Sequence, residues 1–179
     1  MFSNLDQDKA QLMRMATYAS TAVAVSLIVI KLVAWFMTGS VSLLATLMDS
    51  CLDALASGLN LFAVHHALAP ADKAHRFGHG KAEALSGLGQ ATFITGSAVF
   101  LVLEAFSHLM NPHPITAMSV GVWVMIVSVV ATMGLLVFQK HVIKQTNSTA
   151  IKADHMHYKT DLLVNISVIV ALLFAYYGW

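Results

Sequence analysis

Charge is what this sequence has least of. Asp, Glu, Lys and Arg make up 11% of its 179 residues, less than half of the about 25% usual in soluble domains. That argues against a soluble globular protein and against a disordered tail. The formal net charge of +1 supplies no basic stripe for a phosphate backbone, so no nucleic-acid partner is expected. A single cysteine excludes an intrachain disulfide framework and a cysteine-based zinc module. Three prolines and no low-complexity tract leave little room for a long linker. What is abundant is apolar surface: 58% of the residues are hydrophobic and the mean hydropathy is +0.72. A membrane-spanning helix needs about 20 mostly apolar residues. The length therefore accommodates several spans and no separate soluble domain.

Five apolar stretches, at 13–37, 40–66, 84–110, 117–139 and 156–178, predict an all-α polytopic membrane protein. All but the last contain runs long enough to cross a bilayer unaided. The breaks carry turn chemistry at Thr38-Gly39-Ser40, Pro70-Ala71-Asp72 and Asn111-Pro112-His113-Pro114. Nine of the ten Lys and Arg residues fall on one side of this topology, and Lys31 alone lies inside a span. The positive-inside rule then puts the N-terminus and the 2–3 and 4–5 links in the cytoplasm. Tyr176, Tyr177 and Trp179 suit an outer interfacial belt.

Asp49 and Asp53 lie in the middle of the second span. A carboxylate costs at least about 2.5 kcal/mol at a helix centre. The two are four residues apart and share one face, where they would repel unless a proton or a cation intervenes. His157 and Asp161 repeat that spacing in the fifth span. Three carboxylates and one imidazole suit a borderline divalent cation, zinc above all, in four-coordinate geometry. Lys152, Asp154, His155 and Lys159 turn elsewhere and read as a solvated cytoplasmic vestibule. Cys51, two residues from each aspartate, points away and reads as packing.

A shift of 108 positions lays Thr38, Ser40, Ala45 and Asp53 on Thr146, Ser148, Ala153 and Asp161, and Asp49 on His157. The two spans so related run in opposite directions. Inverted repeats that meet near the midplane are a common transporter design. The link between spans two and three places Asp72, His75 and His79 at i, i+3 and i+7, a spacing that a turn or short helix could gather around a second metal. The alternative is a polar loop whose histidines are merely solvated. His65, His66, His108, His113 and His141 are assigned no ligand role.

These residues resemble the cation diffusion facilitator family, and most of all its bacterial zinc and ferrous-iron efflux branch. The resemblance rests on Thr38-Gly39-Ser40-Val41-Ser42-Leu43-Leu44-Ala45, the Asp49/Asp53 pair, Phe77-Gly78-His79-Gly80-Lys81-Ala82-Glu83, Ala153-Asp154, and His157 with Asp161. It implies a zinc/proton antiporter of the inner (plasma) membrane that works as a homodimer by alternating access, with ferrous iron or cadmium as further cargoes. It implies a transport site of Asp49, Asp53, His157 and Asp161, and a second site of Asp72, His75 and His79. It also implies a sixth span and a cytoplasmic metal-binding domain. The five expected spans would then be part of a six-helix bundle, and Lys81 would pair with an acid near that domain.

In such a cycle zinc and protons compete for the same ligand atoms, because ligands must be deprotonated to bind metal. His157 is the expected coupling proton site, since imidazole changes charge near neutral pH. No covalent step is needed, and no enzyme activity is expected. A membrane metalloenzyme would call for more His and Glu in paired helical motifs. A channel would be blocked by a high-affinity tetrahedral site. The remaining alternative is a non-transporting metal-binding fragment or scaffold.

Overall fold

A computed structural model describes residues 4–110 and 118–176. They form five helices and no strand: α1 (Asn4–Thr38), α2 (Val41–Ala67), α3 (Lys81–Met110), α4 (Met118–Thr146) and α5 (Thr149–Tyr176). The expected outer turn at 111–116, and Tyr177 and Trp179 of the expected belt, lie outside the described residues. Helices are the natural outcome for such a chain, because in hydrocarbon every backbone polar group must be satisfied within its own segment. Of the five, α1 to α4 are each long and apolar enough to cross a membrane, whereas Lys152, Asp154, Lys159 and Asp161 interrupt the first half of α5.

The helices close a ring in the order α1, α2, α3, α5, α4, with α2 and α5 also touching across it. Large apolar side chains cover the outside: Phe36, Phe62, Trp123 and Val137 are each about 70% exposed. That face suits lipid, which attracts apolar side chains no less than a protein core would, so close packing must hold the helices together. Small residues supply it. Ala16, Ala24, Ala34, Ala56, Ala63 and Ala150 are buried. A Cβ at Gly89 would stand 2.8 Å from Leu59 Cδ2, so glycine leaves room there for the Leu59 side chain between α3 and α2. One apolar cluster (Met13, Ala16, Val64, Val142, Ala150, Ile151) lies toward the α4–α5 turn, and another (Ala34, Leu43, Val124) toward the α1–α2 turn.

Those two turns are built alike, in register with the 108-residue shift. Thr38 and Thr146 each donate a hydroxyl hydrogen bond four residues back, to Ala34 (2.8 Å) and Val142 (2.9 Å). Each also accepts the backbone N–H of the serine two residues on, at 3.3 Å in both cases. The residue between is left-handed, Gly39 at φ 62° and Asn147 at φ 55°, the conformation that ends a helix and that glycine and asparagine tolerate best. The α1–α2 and α4–α5 hairpins thus share turn chemistry as well as polar pairs. At the second turn, Glu83 from the first turn of α3 accepts hydrogen bonds from the Ser148 hydroxyl and, at 3.2 Å, from the Ala150 N–H. A carboxylate at a helix N-terminus satisfies orphan donors and complements the helix dipole. Glu83 therefore fixes where α5 begins, and with it the height of His157 in the bundle.

Candidate metal centre

Helical periodicity aligns two polar stripes. On α2, Thr46, Asp49, Ser50, Asp53, Ser57 and Asn60 recur at three- and four-residue spacing, and on α5 so do Asp154, His157, Tyr158, Asp161 and Asn165. The stripes meet where α2 and α5 touch across the ring. There His157 is 1% exposed. Its Nε2 lies 3.2 Å from Asp53 Oδ1 and 3.4 Å from Asp161 Oδ2. Asp53, His157 and Asp161 each offer a ligand atom, all within 4.8 Å of one another.

One ring nitrogen cannot satisfy two carboxylates. Asp161 Oδ2 is buried yet accepts no hydrogen bond among the described residues, and His157 Nδ1 likewise has no hydrogen-bond partner. A buried, unsatisfied carboxylate oxygen is costly, and a cation between the oxygens and the imidazole removes that cost. The spacing fits. Ligands about 2.0–2.1 Å from a tetrahedral zinc stand roughly 3.4 Å from each other, close to the two observed distances. Of the expected four residues, Asp53, His157 and Asp161 are gathered. Asp49 is not in that cluster but lines the adjoining cavity with His157 and Asp161. Four residues of helix, about 6 Å of rise, separate it from the level of Asp53. Cys51 is half-buried and contributes no atom to the cluster.

The cavity, about 240 Å³, is lined by α2, α3 and α5, with Ser97, Leu101, Thr160 and Asn165 among its walls. It lies on the side of the cluster away from the α4–α5 turn. The opposite side is filled by a polar layer that corrects one expectation. Asp154 does not belong to a solvated vestibule. It is 0% exposed and accepts hydrogen bonds from Gln90 Nε2 of α3 (3.2 Å) and Gln139 Nε2 of α4 (2.7 Å). The reason is register: Asp154 lies one turn before His157 and Tyr158 and turns inward with them, while Lys152 and Lys159 stay exposed. Gln90 also donates to the Ala56 carbonyl on α2 at 3.0 Å. The Tyr158 hydroxyl pairs with Ser57 at 2.6 Å and donates to the Ser20 carbonyl at 3.1 Å. The layer ties all five helices together one turn from the cluster. Sequence alone singled out neither Gln90 and Gln139, isolated amides in their spans, nor the inward turn of Asp154, although Asp154 shares a face with His157 and Asp161.

The loop residues also come together, by turns rather than a helix. Asp72, His75 and His79 offer ligand atoms within 4.8 Å of one another. Asp72 Oδ1 accepts the His75 backbone N–H at 2.5 Å and lies 3.2 Å from His75 Nδ1, while His79 Nε2 is 3.5 Å from Asp72 Oδ2. The His75 backbone N–H holds the Asp72 carboxyl below its ordinary value, because it bonds the ionised form better. His79 is nearly buried, and its ring centroid lies 4.5 Å from those of both His66 and His75.

Fold and cluster together define a polytopic membrane protein with metal-ligand chemistry at the centre of its helix ring. Comparison with known proteins narrows this further. A family model described as the cation efflux transmembrane domain matches residues 17–179, and the chain belongs to that family. It is 46% identical over 175 residues to the cation-efflux pump FieF of Klebsiella pneumoniae subsp. pneumoniae, an alignment covering 98% of this chain and 58% of that protein. The cation-efflux pump FieF of Yersinia enterocolitica is 45% identical over the same shares. The chain thus spans somewhat more than half the length of these relatives.

Proposed function

We propose that this domain carries a divalent metal cation, zinc in the first place and ferrous iron or cadmium as alternatives, out of the cytoplasm in exchange for protons. The carrying observation is the ligand spacing of Asp53, His157 and Asp161, with Asp49 completing the set from the cavity wall. Zinc binds with the imidazole neutral and the carboxylates ionised, and protons displace it. With the N-terminus cytoplasmic, as the distribution of Lys and Arg favours, the cavity meets the site from the outer half of the bundle. The layer of Asp154 and Tyr158 then closes the cytoplasmic side, an arrangement suited to metal release. Rocking of α2 against α5 would exchange the open side, and the two hairpins with alike turns are the units to rock. Asp72, His75 and His79 form a second, cytoplasmic site, and the whole protein acts as a homodimer in the inner membrane.

The test is calorimetric. With Asp72, His75 and His79 replaced by Ala, the chain should bind one zinc, and Asp53→Ala or Asp161→Ala should abolish that binding. Unchanged affinity in both variants would overturn the site. Zinc-dependent proton flux in proteoliposomes distinguishes a transporter from a metal-binding scaffold.

A further inference from the structure

Lys31 lies deep inside the first apolar stretch, away from its charged N-terminal end, and is only 7% exposed. It projects from α1 onto the ion-site stripe of α2, where Nζ donates to Ser50 Oγ at 2.6 Å and to the Thr46 carbonyl at 3.1 Å. Ser50 lies between Asp49 and Asp53 in sequence and on the same face. The ammonium is within electrostatic reach of Asp53, Asp49 and Asp161, and of Cys51. A strut between α1 and α2 would need no charge, since a neutral amide could donate to the same two oxygens. An ammonium removed from water is stabilised by hydrogen bonds to such oxygens and further by opposite charge nearby, which here comes from the ion-site carboxylates.

We propose that Lys31 is a fixed counter-charge of the ion site and sets the valence of the ion the site accepts. This rests on the ion-site reading above. Ionised Asp49, Asp53 and Asp161 carry three negative charges, neutral His157 carries none, and Lys31 contributes one positive charge. A divalent cation brings this set to zero, with Asp154 counted apart because Gln90 and Gln139 satisfy its carboxyl one turn away. A monovalent ion leaves it negative and a trivalent ion leaves it positive, and either excess is unfavourable in a low-dielectric bundle. Without Lys31 the neutral set would need a trivalent ion. Lys31 is therefore a specificity-determining residue that touches no metal.

The experiment compares Zn2+ and Tb3+ affinities of the full chain in lipid nanodiscs, with Asp72, His75 and His79 changed to Ala. The ratio of the two affinities at one pH, compared between variant and parent, is the readout, because each ion's own coordination preference cancels in that comparison. Lys31→Met and Lys31→Gln should move it toward terbium by about tenfold or more, as expected for a unit charge within roughly 10 Å at an effective dielectric near 20. Lys31→Arg, which keeps the charge, and Ser50→Ala, which keeps the ammonium, should stay within about twofold of the parent. A ratio unmoved in both neutral variants overturns the proposal, as does a Ser50→Ala shift as large as theirs, which would identify a hydrogen-bonded strut. It also falls if neither neutral variant folds while Lys31→Arg and Ser50→Ala do, since the bundle rather than the ion would then need the charge. Asp161→Ala run alongside keeps the two readings apart: zinc affinity retained there would sink the ion site itself, whereas zinc lost there with an unmoved ratio in Lys31→Met sinks only the role of Lys31.

Discussion

The chain presents the same side-chain chemistry twice, on very different supports. Asp53, His157 and Asp161 come from two helices 104 residues apart in sequence, with His157 almost wholly buried. Asp72, His75 and His79 come from one short loop, with Asp72 and His75 more than half exposed. In the loop, water can satisfy each ligand when no metal is bound, and gathering the ligands closes only a few residues of chain. In the bundle, water is scarce, an unpaired carboxylate is costly, and the ligands meet only where α2 and α5 touch across the ring. The membrane cluster should therefore be tied to the state of the whole bundle, which is what a transport site needs. The loop cluster should act locally and independently.

The largest effect that sharpens this contrast is loss of a bound ion. Replacing Asp72, His75 and His79 together with Ala should remove one zinc equivalent by calorimetry and leave the membrane site occupied. Loss of all zinc in that variant would mean that the two clusters form one composite site. Next in size is metal choice. His157 is the only nitrogen donor among the proposed ligands of the membrane set, and His157→Asp would make that set all oxygen. Zinc favours mixed nitrogen and oxygen ligands, whereas manganese tolerates carboxylates and water. Competition binding should show zinc losing its preference over manganese by about tenfold or more, the equivalent of ~1.4 kcal/mol. An unchanged ratio would remove His157 from the ligand set.

A smaller effect probes the support beneath the site. Gln139→Leu takes a donor from Asp154 Oδ2 and leaves a buried carboxylate oxygen unsatisfied, which costs roughly 1–3 kcal/mol. The variant should unfold earlier in a denaturing-detergent titration by that amount, whereas the same change at exposed Lys140 should not. Equal stability of Gln139→Leu and the parent would show that the layer is replaceable.

How much of this was legible follows from the physics of each part. The helices were readable because a segment in hydrocarbon must satisfy its own backbone, so hydropathy and turn residues nearly suffice. The ends near the α4–α5 turn were not: α4 runs on to Thr146 and α5 begins at Thr149, well past the apolar stretches that end at 139 and start at 156. There Lys140, His141, Lys144 and Lys152 lower the hydropathy while the helical hydrogen bonding continues. Asp49, Asp53, His157 and Asp161 stood out because charges at a helix centre are expensive and these came in pairs. Gln90 and Gln139 did not stand out, because a lone amide in a span is unremarkable until packing places three helices' polar residues together, and Asp154, two residues before the apolar stretch, read as part of the solvated link. The turn repeat occupied a middle ground. A few identities in register suggested it, and the matching hydrogen bonds at Thr38 and Thr146 gave it structural content.

The smallest predicted effect lies in the loop and concerns pH. In the folded loop the Asp72 carboxyl is held below its ordinary value, chiefly by the His75 backbone N–H. A lowered value means that the loop favours the ionised form. That local support is fully present above the unfolded value, about 3.9 for aspartate, and is lost as pH falls through the lowered folded value. Because Asp72 is open to solvent, the contribution is confined to loop order and should leave the helices untouched. In metal-free protein, the His75 amide resonance should titrate with a midpoint below that of a free aspartate. Asp72→Asn should abolish the transition while α2 and α3 keep their amide protection. A midpoint at or above the free value would mean that the His75 N–H does not hold the carboxylate in solution. The loop ligands would then be gathered by the metal itself rather than pre-arranged for it, and the contrast with the helix-borne cluster would be greater still.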